Sequence, residues 1–199
     1  MPLRELLAPF RKWLPPLNEE QLSAIDAHLH LLQVWNQKIN LTAIRDESEA
    51  VRRHIAESLF LAAQLPQGTV TVCDLGSGGG FPGIPVGISR PDCHITLVES
   101  DIRKGVFLRE ASRALPNMKV VTSRFEALSR DNAGFDWLIS RAVNIDQIKQ
   151  GPVCRNAALL TRENAGPSRG FFHKWKWKSL AAPWSAEACV LLGTPVNIG

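Results

Sequence analysis

A glycine-rich stretch, residues 70–85, constrains the fold of this chain more than any other segment. It begins with a short apolar run that ends at Asp74, and five glycines follow within eight residues: Gly76, Gly78, Gly79, Gly80 and Gly83. Glycine is used where the backbone takes a positive φ or where another group approaches bare main chain. Pro85 suits the first turn of a helix, because its missing N–H would have no partner there. The stretch therefore predicts a strand, a ligand-binding glycine loop and the start of a helix.

The spacing of these glycines is compatible with two classes of cofactor. Counted from Gly78, it satisfies the G-x-G-x-x-G pattern of dinucleotide-binding folds. Counted from Asp74, it reads D-x-G-x-G-x-G, which resembles the first motif of class I S-adenosylmethionine (AdoMet)-dependent methyltransferases. An acid at the strand end would repel a pyrophosphate, whereas it favours an ammonium or a sulfonium group. The second register is therefore the preferred interpretation, and the first stays open.

Beyond the loop, short apolar segments alternate with helical ones. This alternation predicts an α/β fold with a mostly parallel sheet that is covered by helices on both faces. Two later segments, residues 171–178 and 189–192, are expected to form an antiparallel pair that closes the sheet. The preceding strands are predicted, in chain order, at residues 70–73, 94–98, 119–122, 135–139 and 157–161.

Charged residues follow several of these predicted strands at their carboxyl ends. In open parallel sheets the ligand crevice lies outside those ends, so these residues should converge on one edge. Glu99 lies 19 residues after Gly80, at the position where α/β cofactor folds bind ribose hydroxyls; an exposed carboxylate without a ligand is the alternative. The residues expected at this edge are Asp74, Glu99, Arg124 and Arg141.

The segment before the glycine loop is predicted to be helical. Asn18 is an expected N-cap with Gln21 at the third helical position, and apolar residues then recur at helical spacing. A second helix is expected to start at Ser48, with Arg52, Arg53 and Glu57 off its apolar face. We interpret residues 1–66 as a helical N-terminal subdomain and residues 67–199 as the AdoMet-binding methyltransferase domain. In the first of these, His28 and His30 are expected to be packing or surface histidines.

Composition excludes several classes of protein. A chain of 199 residues that is 45% hydrophobic can bury one substantial core. Its four cysteines lack C-x-x-C spacing, which argues against a zinc site or a disulfide framework, and no apolar run is long enough to span a membrane. The net charge of +4 resides in residues 151–199, which carry six Lys or Arg and two Glu. A surface that binds an anionic polymer is therefore first sought there.

Three motifs together carry a resemblance to a known family. They are W-N-Q-K-I-N-L-T-A-I-R-D (residues 35–46), R-H-I-A-E-S-L (53–59) and D-L-G-S-G-G-G-F-P-G-I-P (74–85). With further short matches up to residue 142, the combination resembles the GidB family, also called RsmG, of bacterial small-subunit ribosomal RNA guanine-N7 methyltransferases. Glu99 stands where the family often has Asp, and the resemblance fades after Ala142.

This resemblance implies a fold, a cofactor and a substrate. The fold is the class I methyltransferase Rossmann-like architecture with a helical N-terminal extension, and the methyl donor is S-adenosyl-L-methionine. The acceptor is N7 of a guanosine in the 530 loop of 16S ribosomal RNA, position 527 in the family's RNA numbering. We therefore expect a cytoplasmic monomer whose partner is 16S ribosomal RNA or the small ribosomal subunit, with no metal and no membrane.

The strand ends, the glycine motif and the resemblance together suggest the site residues. Arg141 is expected nearest to the acceptor base or its phosphate, with a structural ion pair to Asp136 or Glu126 as the alternative. Guanine N7 carries a free lone pair at neutral pH, so methyl transfer needs alignment more than a general base. The expected cofactor-binding residues are Asp74, Gly76, Gly78, Gly80, Phe81, Glu99, Arg124, Phe125, Glu126 and Arg141.

Two other functions stay open at this point. The G-x-G-x-x-G register permits an NAD(P)-binding oxidoreductase, although the chain has no tyrosine that could act as a proton donor. The second open function is that of a non-enzymatic RNA-binding module with a vestigial glycine loop. In the tail, Lys174, Lys176 and Lys178 alternate with aromatic residues, which predicts either a protected edge strand or a phosphate-binding surface.

Overall fold

The computed structural model describes residues 1–124, 127–128, 134–141, 144, 154–162, 166 and 172–196. The strands among these residues are β1 Thr71–Leu75, β2 His94–Glu99, β3 Met118–Thr122, β4 Phe135–Arg141, β5 Cys154–Thr161, β6 Trp175–Ala181 and β7 Cys189–Pro195. They form one sheet in the order β3-β2-β1-β4-β5-β7-β6.

The pairing of the strands confirms the predicted topology. The first five strands run parallel, and β7 is antiparallel to both β5 and β6. The register aligns Asp74 with Leu97 of β2 on one side and Ile139 of β4 on the other. β5 begins three residues before the predicted start, because Cys154 and Asn156 still pair with β4 although the apolar run has not yet begun.

Helices precede the sheet and connect its first strands. They are α1 Leu3–Leu7, a 3-10 turn Ala8–Trp13, α2 Glu19–Asn36, α3 at residues 47–62, α4 Gly83–Ser89 and α5 Ile102–Ala111. The predicted capping box at the start of α2 is confirmed, with Asn18 and Gln21 each accepting the other's backbone N–H. α3 is α-helical at Glu47–Ala50 and Glu57–Ala62 and π-helical at Val51–Ala56. No described helix is long and apolar enough to cross a membrane.

The two faces of the sheet belong to different hydrophobic clusters. On one face, Val72, Ile95 and Ile139 pack with the buried side chains of α1 to α5. On the other, Cys73, Leu138 and their neighbours pack with Leu128, Phe172 and the partly buried Trp175 and Trp177. The N-terminal helices therefore share one core with the sheet, and the division at residues 66 and 67 stays a prediction.

The structure of the last two strands shows where the alternating tryptophans and lysines of the tail lie. Trp175 and Trp177 are half-buried against the second cluster, whereas Lys176 and Lys178 are exposed. β6 is the edge strand of the sheet, and it begins at Trp175, so His173 and Lys174 belong to the preceding turn. Gly193 of β7 lies directly opposite Trp177, whose indole ring covers it.

We expect Gly193→Ala to lower the free energy of unfolding by about 1–3 kcal/mol, because overpacking a filled site displaces its neighbours. A Cβ at residue 193 would lie 2.5 Å from Cζ3 of Trp177. Urea unfolding followed by tryptophan fluorescence measures the change. The matched control is Thr194→Ala, an exposed position next along the strand. Equal effects of the two substitutions would contradict the packing described here.

Candidate active site

The glycine loop joins the carboxyl end of β1 to the start of α4 and is anchored to β2. The N–H groups of Gly76 and Ser77 both donate to the carbonyl of Val98. Gly76, Gly78 and Gly80 have positive φ values of 69°, 54° and 88°. The predicted sequence of strand, glycine loop and helix is confirmed, and the loop lies at the carboxyl edge of the sheet.

The glycines of the loop have different neighbours. A Cβ on Gly78 would meet nothing closer than the Gly76 carbonyl at 3.7 Å, so this side of the loop is open. A Cβ on Gly79 would lie 3.0 Å from Leu32, and one on Gly80 would lie 2.9 Å from His28 Nε2, both on α2. A Cβ on Gly83 would lie 2.5 Å from the carboxylate of Asp74. Among these four glycines, Gly78 therefore leaves room for a ligand, whereas Gly79, Gly80 and Gly83 let other parts of the protein approach closely.

Asp74 lies beneath the loop with no exposed surface. Its Oδ2 accepts a hydrogen bond from the Gly83 N–H at 3.1 Å, whereas Oδ1 has no hydrogen-bond partner among the described residues. Burial raises the pKa of this carboxyl from 3.8 to about 7, since desolvation disfavours the charge more than Ser77 and Gly83 favour it. The site thus holds a buried carboxyl group with one oxygen available.

Glu99 ties the end of β2 to the loop. Its Oε2 accepts from the Gly78 N–H and its Oε1 from the Asp101 N–H, each at 2.9 Å. The side chain is 8% exposed. The structure therefore places Glu99 beside the open glycine of the loop, where its contact with a ribose stays a prediction.

Arg141 emerges from β4 under helix α3 and does not pair with Asp136. Its Nη2 lies 3.2 Å from Glu57 Oε2, and Arg162 Nη2 lies 3.2 Å from Glu57 Oε1. Asp136 instead lies at the other end of β4, where it accepts from Thr71 and pairs with Arg155. The alternative of an ion pair with Asp136 is therefore wrong, because the two residues lie at opposite ends of one strand.

Glu57 is the functional candidate that the sequence prediction missed. We expected it off the apolar face of its helix, but only 3% of it is exposed. Burial raises the pKa of this carboxyl, and Arg141 and Arg162 oppose that shift. The only signal in the sequence was its position in R-H-I-A-E-S-L, since its partners lie 84 and 105 residues away along the chain.

Phe81 lies between two imidazoles rather than on an open surface. The His54 ring stacks on it at 4.5 Å and 13°, and the His28 ring lies 4.9 Å away on a tilt of 39°. His54 belongs to the π-helical segment of α3 and is hydrogen-bonded to Thr42. Burial, with Arg141 and Arg53 nearby, lowers the pKa of His54 to about 3, and burial lowers that of His28 to about 4. Both imidazoles are neutral at physiological pH.

Three further predicted site residues, at positions 124–126, follow β3 in the chain. Arg124 is exposed just beyond β3, and Phe125 and Glu126 lie outside the described residues. Direct hydrogen bonds join Asp74 to Gly83 and Glu99 to Gly78, so the structure brings these two predicted acids to one loop. Arg141 approaches the same edge of the sheet from β4, through its contacts with α3.

A family model described as "GidB: rRNA small subunit methyltransferase G" matches residues 21–150. The chain belongs to the GidB family. The GidB match includes the glycine loop, α3 and β1 to β4, and with them every predicted site residue. Arg162 and the tail lysines lie beyond it.

Relatives named Ribosomal RNA small subunit methyltransferase G show the same kinship. That of Chromobacterium violaceum is 45% identical over 128 residues, which are 63% of this chain and 60% of the relative. That of Nitrosococcus oceani is 41% identical over 187 residues, 91% of this chain and 84% of the relative. The chain thus spans about 60% of the length of the first relatives it matches.

Solved structures share the fold at low sequence identity. A SAM dependent methyltransferase from Aquifex aeolicus has a TM-score of 0.56 at 10% identity, covering 76% of this chain and 94% of its own. A methyltransferase from Pyrococcus furiosus has a TM-score of 0.54 at 12% identity, covering 87% and 100%. The class I methyltransferase fold predicted from the sequence is confirmed.

The buried carboxyl of Asp74 predicts an unusual dependence of stability on pH. Its pKa in the folded state lies above the ordinary value, so the folded protein retains a proton that the unfolded chain releases between about pH 4 and 7. Stability contributed by this group is therefore present at low pH and lost as the pH rises through about 7. Asp74→Asn keeps an acceptor for Gly83 and removes the charge.

We expect Asp74→Asn to be more stable than the wild type at pH 8 by on the order of 4 kcal/mol, and the difference to vanish near pH 4. Urea unfolding at the two pH values measures it. Asp26→Asn, at an exposed position on α2, is the control and should change stability by no more than about 0.5 kcal/mol at either pH. An Asp74→Asn effect that is the same at both pH values would refute the raised pKa.

Proposed function

We propose that this chain transfers a methyl group from AdoMet to N7 of a guanosine in 16S ribosomal RNA, in the 530 loop. One observation carries the proposal: the loop that holds the open glycine, Gly78, is bonded to two acidic side chains, to Glu99 through Gly78 and to Asp74 through Gly83. A cationic ligand suits two carboxylates, whereas a pyrophosphate does not. Membership of the GidB family supports the same function.

The residues of the loop fit AdoMet. Asp74 presents a buried oxygen without a partner, and an ammonium group would favour its ionised form. Glu99 stands at the end of β2, where its oxygens would accept hydrogen bonds from ribose hydroxyls. When bound, AdoMet supplies a methyl group on a sulfonium. The chain itself binds and orients the cofactor through the loop.

The transfer requires no proton removal by a side chain. Guanine N7 is already a free lone pair, so the contribution of the protein is alignment and a suitable electrostatic environment. His54 would be the nearest base by type, but its Nε2 is engaged with Thr42 and the ring is packed against Phe81. The geometry is in keeping with catalysis by positioning.

Positive charge accumulates beside the loop, on the side where we place the acceptor. We define the arginine group as Arg52, Arg53, Arg141 and Arg162, which surround Glu49 and Glu57. The four arginines of this group thus carry four positive charges, and the two glutamates they surround carry two negative charges. Burial is the main cause of the lowered pKa of His54, and the positive charges of Arg141 and Arg53 lower it further. Phosphates of an RNA loop would compensate the surplus.

Cofactor binding distinguishes this proposal from an oxidoreductase and from a non-enzymatic RNA-binding module. We expect isothermal titration to show binding of AdoMet and S-adenosylhomocysteine and none of NAD. Gly78→Val should abolish binding, because the backbone has φ +54° and the side chain would occupy the open side of the loop. Glu99→Ala should weaken it by about 1–3 kcal/mol, with the exposed Glu110→Ala as the control. NAD binding without AdoMet binding would overturn the assignment.

Arg141 is expected to position the acceptor. Arg141→Ala should lower the single-turnover rate about 100-fold at saturating AdoMet. Arg155→Ala removes an exposed arginine that is also ion-paired, and it should leave the rate unchanged. In the wild type this rate should vary little between about pH 6.5 and 8.5, since no side chain acts as a base. A bell-shaped profile, or a normal rate for Arg141→Ala, would contradict the proposed role.

The tail lysines are a weaker candidate for RNA contact than the arginine group. β6 lies four strands from β1, or about 19 Å at the usual strand spacing, and its lysines face solvent at the sheet edge. We therefore expect them to protect that edge from association. Changing Lys174, Lys176 and Lys178 together to Gln should leave AdoMet affinity and the salt dependence of RNA affinity unchanged. A slope of log affinity against log salt that falls by about two units would instead show phosphate contacts.

A further inference from the structure

Helix α2 supports the glycine loop from the side opposite to its open face. The Nε2–H of His28 donates to the carbonyl of Gly79 at 2.9 Å, and the same nitrogen lies 2.9 Å from where a Cβ of Gly80 would be. His28 is 3% exposed, and its ring also lies 4.9 Å from that of Phe81. One side chain thus contacts three consecutive residues of the loop.

Ring contacts join the loop to two of the N-terminal helices, α2 and α3. Phe81 is held between His28 of α2 and His54 of α3. The backbone carbonyl of Arg53, one residue before His54, accepts a hydrogen bond from Arg141. The loop that would bind the cofactor and the arginine group that would bind the acceptor are therefore both held by helix α3, at His54 and at the neighbouring Arg53 carbonyl.

We propose that His28 is a positioning residue for the AdoMet site, acting through the carbonyl of Gly79 and the ring of Phe81. This inference rests on the proposed cofactor. The hydrogen bond holds the carbonyl of the Gly79–Gly80 peptide, whose N–H donates to the Ser77 carbonyl. The N–H of Gly78, two peptides earlier in the same loop, donates to Glu99. Without the donor, the buried Gly79 carbonyl is left unsatisfied, and the loop relaxes away from the conformation that binds.

A positioning role and a merely structural role have different consequences for cofactor affinity. If the loop relaxes when the donor is lost, cofactor binding must restore its conformation, and the dissociation constant rises. If His28 only fills space, a substitution lowers the free energy of unfolding and leaves the affinity of the folded protein unchanged. Measuring the cofactor affinity and the free energy of unfolding of folded variants therefore distinguishes the two roles.

The variants His28→Gln and His28→Met isolate the hydrogen bond. Glutamine places an amide donor at about the reach of Nε2, and methionine has nearly the same length and no donor. We expect His28→Gln to bind AdoMet within about threefold of the wild type. His28→Met should bind about tenfold more weakly than His28→Gln, since an unsatisfied buried carbonyl carries a penalty of that order. His30→Met, at an exposed position on the same helix, should bind like the wild type.

Titration calorimetry with AdoMet, together with urea unfolding of each variant, tests the inference. A raised KM for AdoMet with an unchanged KM for RNA would support it further. Equal affinities of the folded Gln and Met variants would overturn the inference while leaving the proposed function intact. Failure of the wild type to bind AdoMet would instead overturn the proposed function, and this inference with it.

Discussion

The hydrogen bond between the carboxyl group of Asp74 and the N–H of Gly83 is the contact on which the site depends. It joins Asp74, near the carboxyl end of β1, to Gly83, the first residue of α4, across the glycine loop. Gly83 has no side chain because Asp74 and Leu97 occupy the space that one would need. The loop between them can therefore take positive φ values while both of its ends stay fixed. This arrangement requires that the titratable carboxyl group of Asp74 be buried.

A second buried carboxylate organises the other side of the site. Glu57 holds Arg141 and Arg162, which come from the carboxyl ends of neighbouring strands, against the helix that also carries His54. Removing one partner of such a buried pair leaves an uncompensated charge, so the position of Arg141 is strongly determined. The π-helical segment before Glu57 supports this arrangement, and such segments are frequent at functional sites. The helices that precede the sheet thus hold both the glycine loop and these arginines in place.

Local patterns in the sequence account for most of the fold and for part of the site. The alternation of strands and helices, the capping residue Asn18 and the position of Asp74 before the glycines were all predictable, because each depends on nearby residues. The burial of Glu57 and the stacking of Phe81 between His28 and His54 were not. These contacts join segments that are distant along the chain, and a polar residue on a helix is ordinarily expected at the surface. Only the packing of α2 and α3 against the loop reveals them.

The pKa of about 7 at Asp74 has a further consequence, because it makes the hydrogen ion a ligand of the same site. A cationic cofactor that requires the ionised carboxylate must displace that proton as it binds. Cofactor binding and proton release are then linked equilibria, and the proton acts as a competitor whose strength changes across the neutral range. The heat observed on binding would accordingly depend on the ionisation enthalpy of the buffer that takes up the released proton.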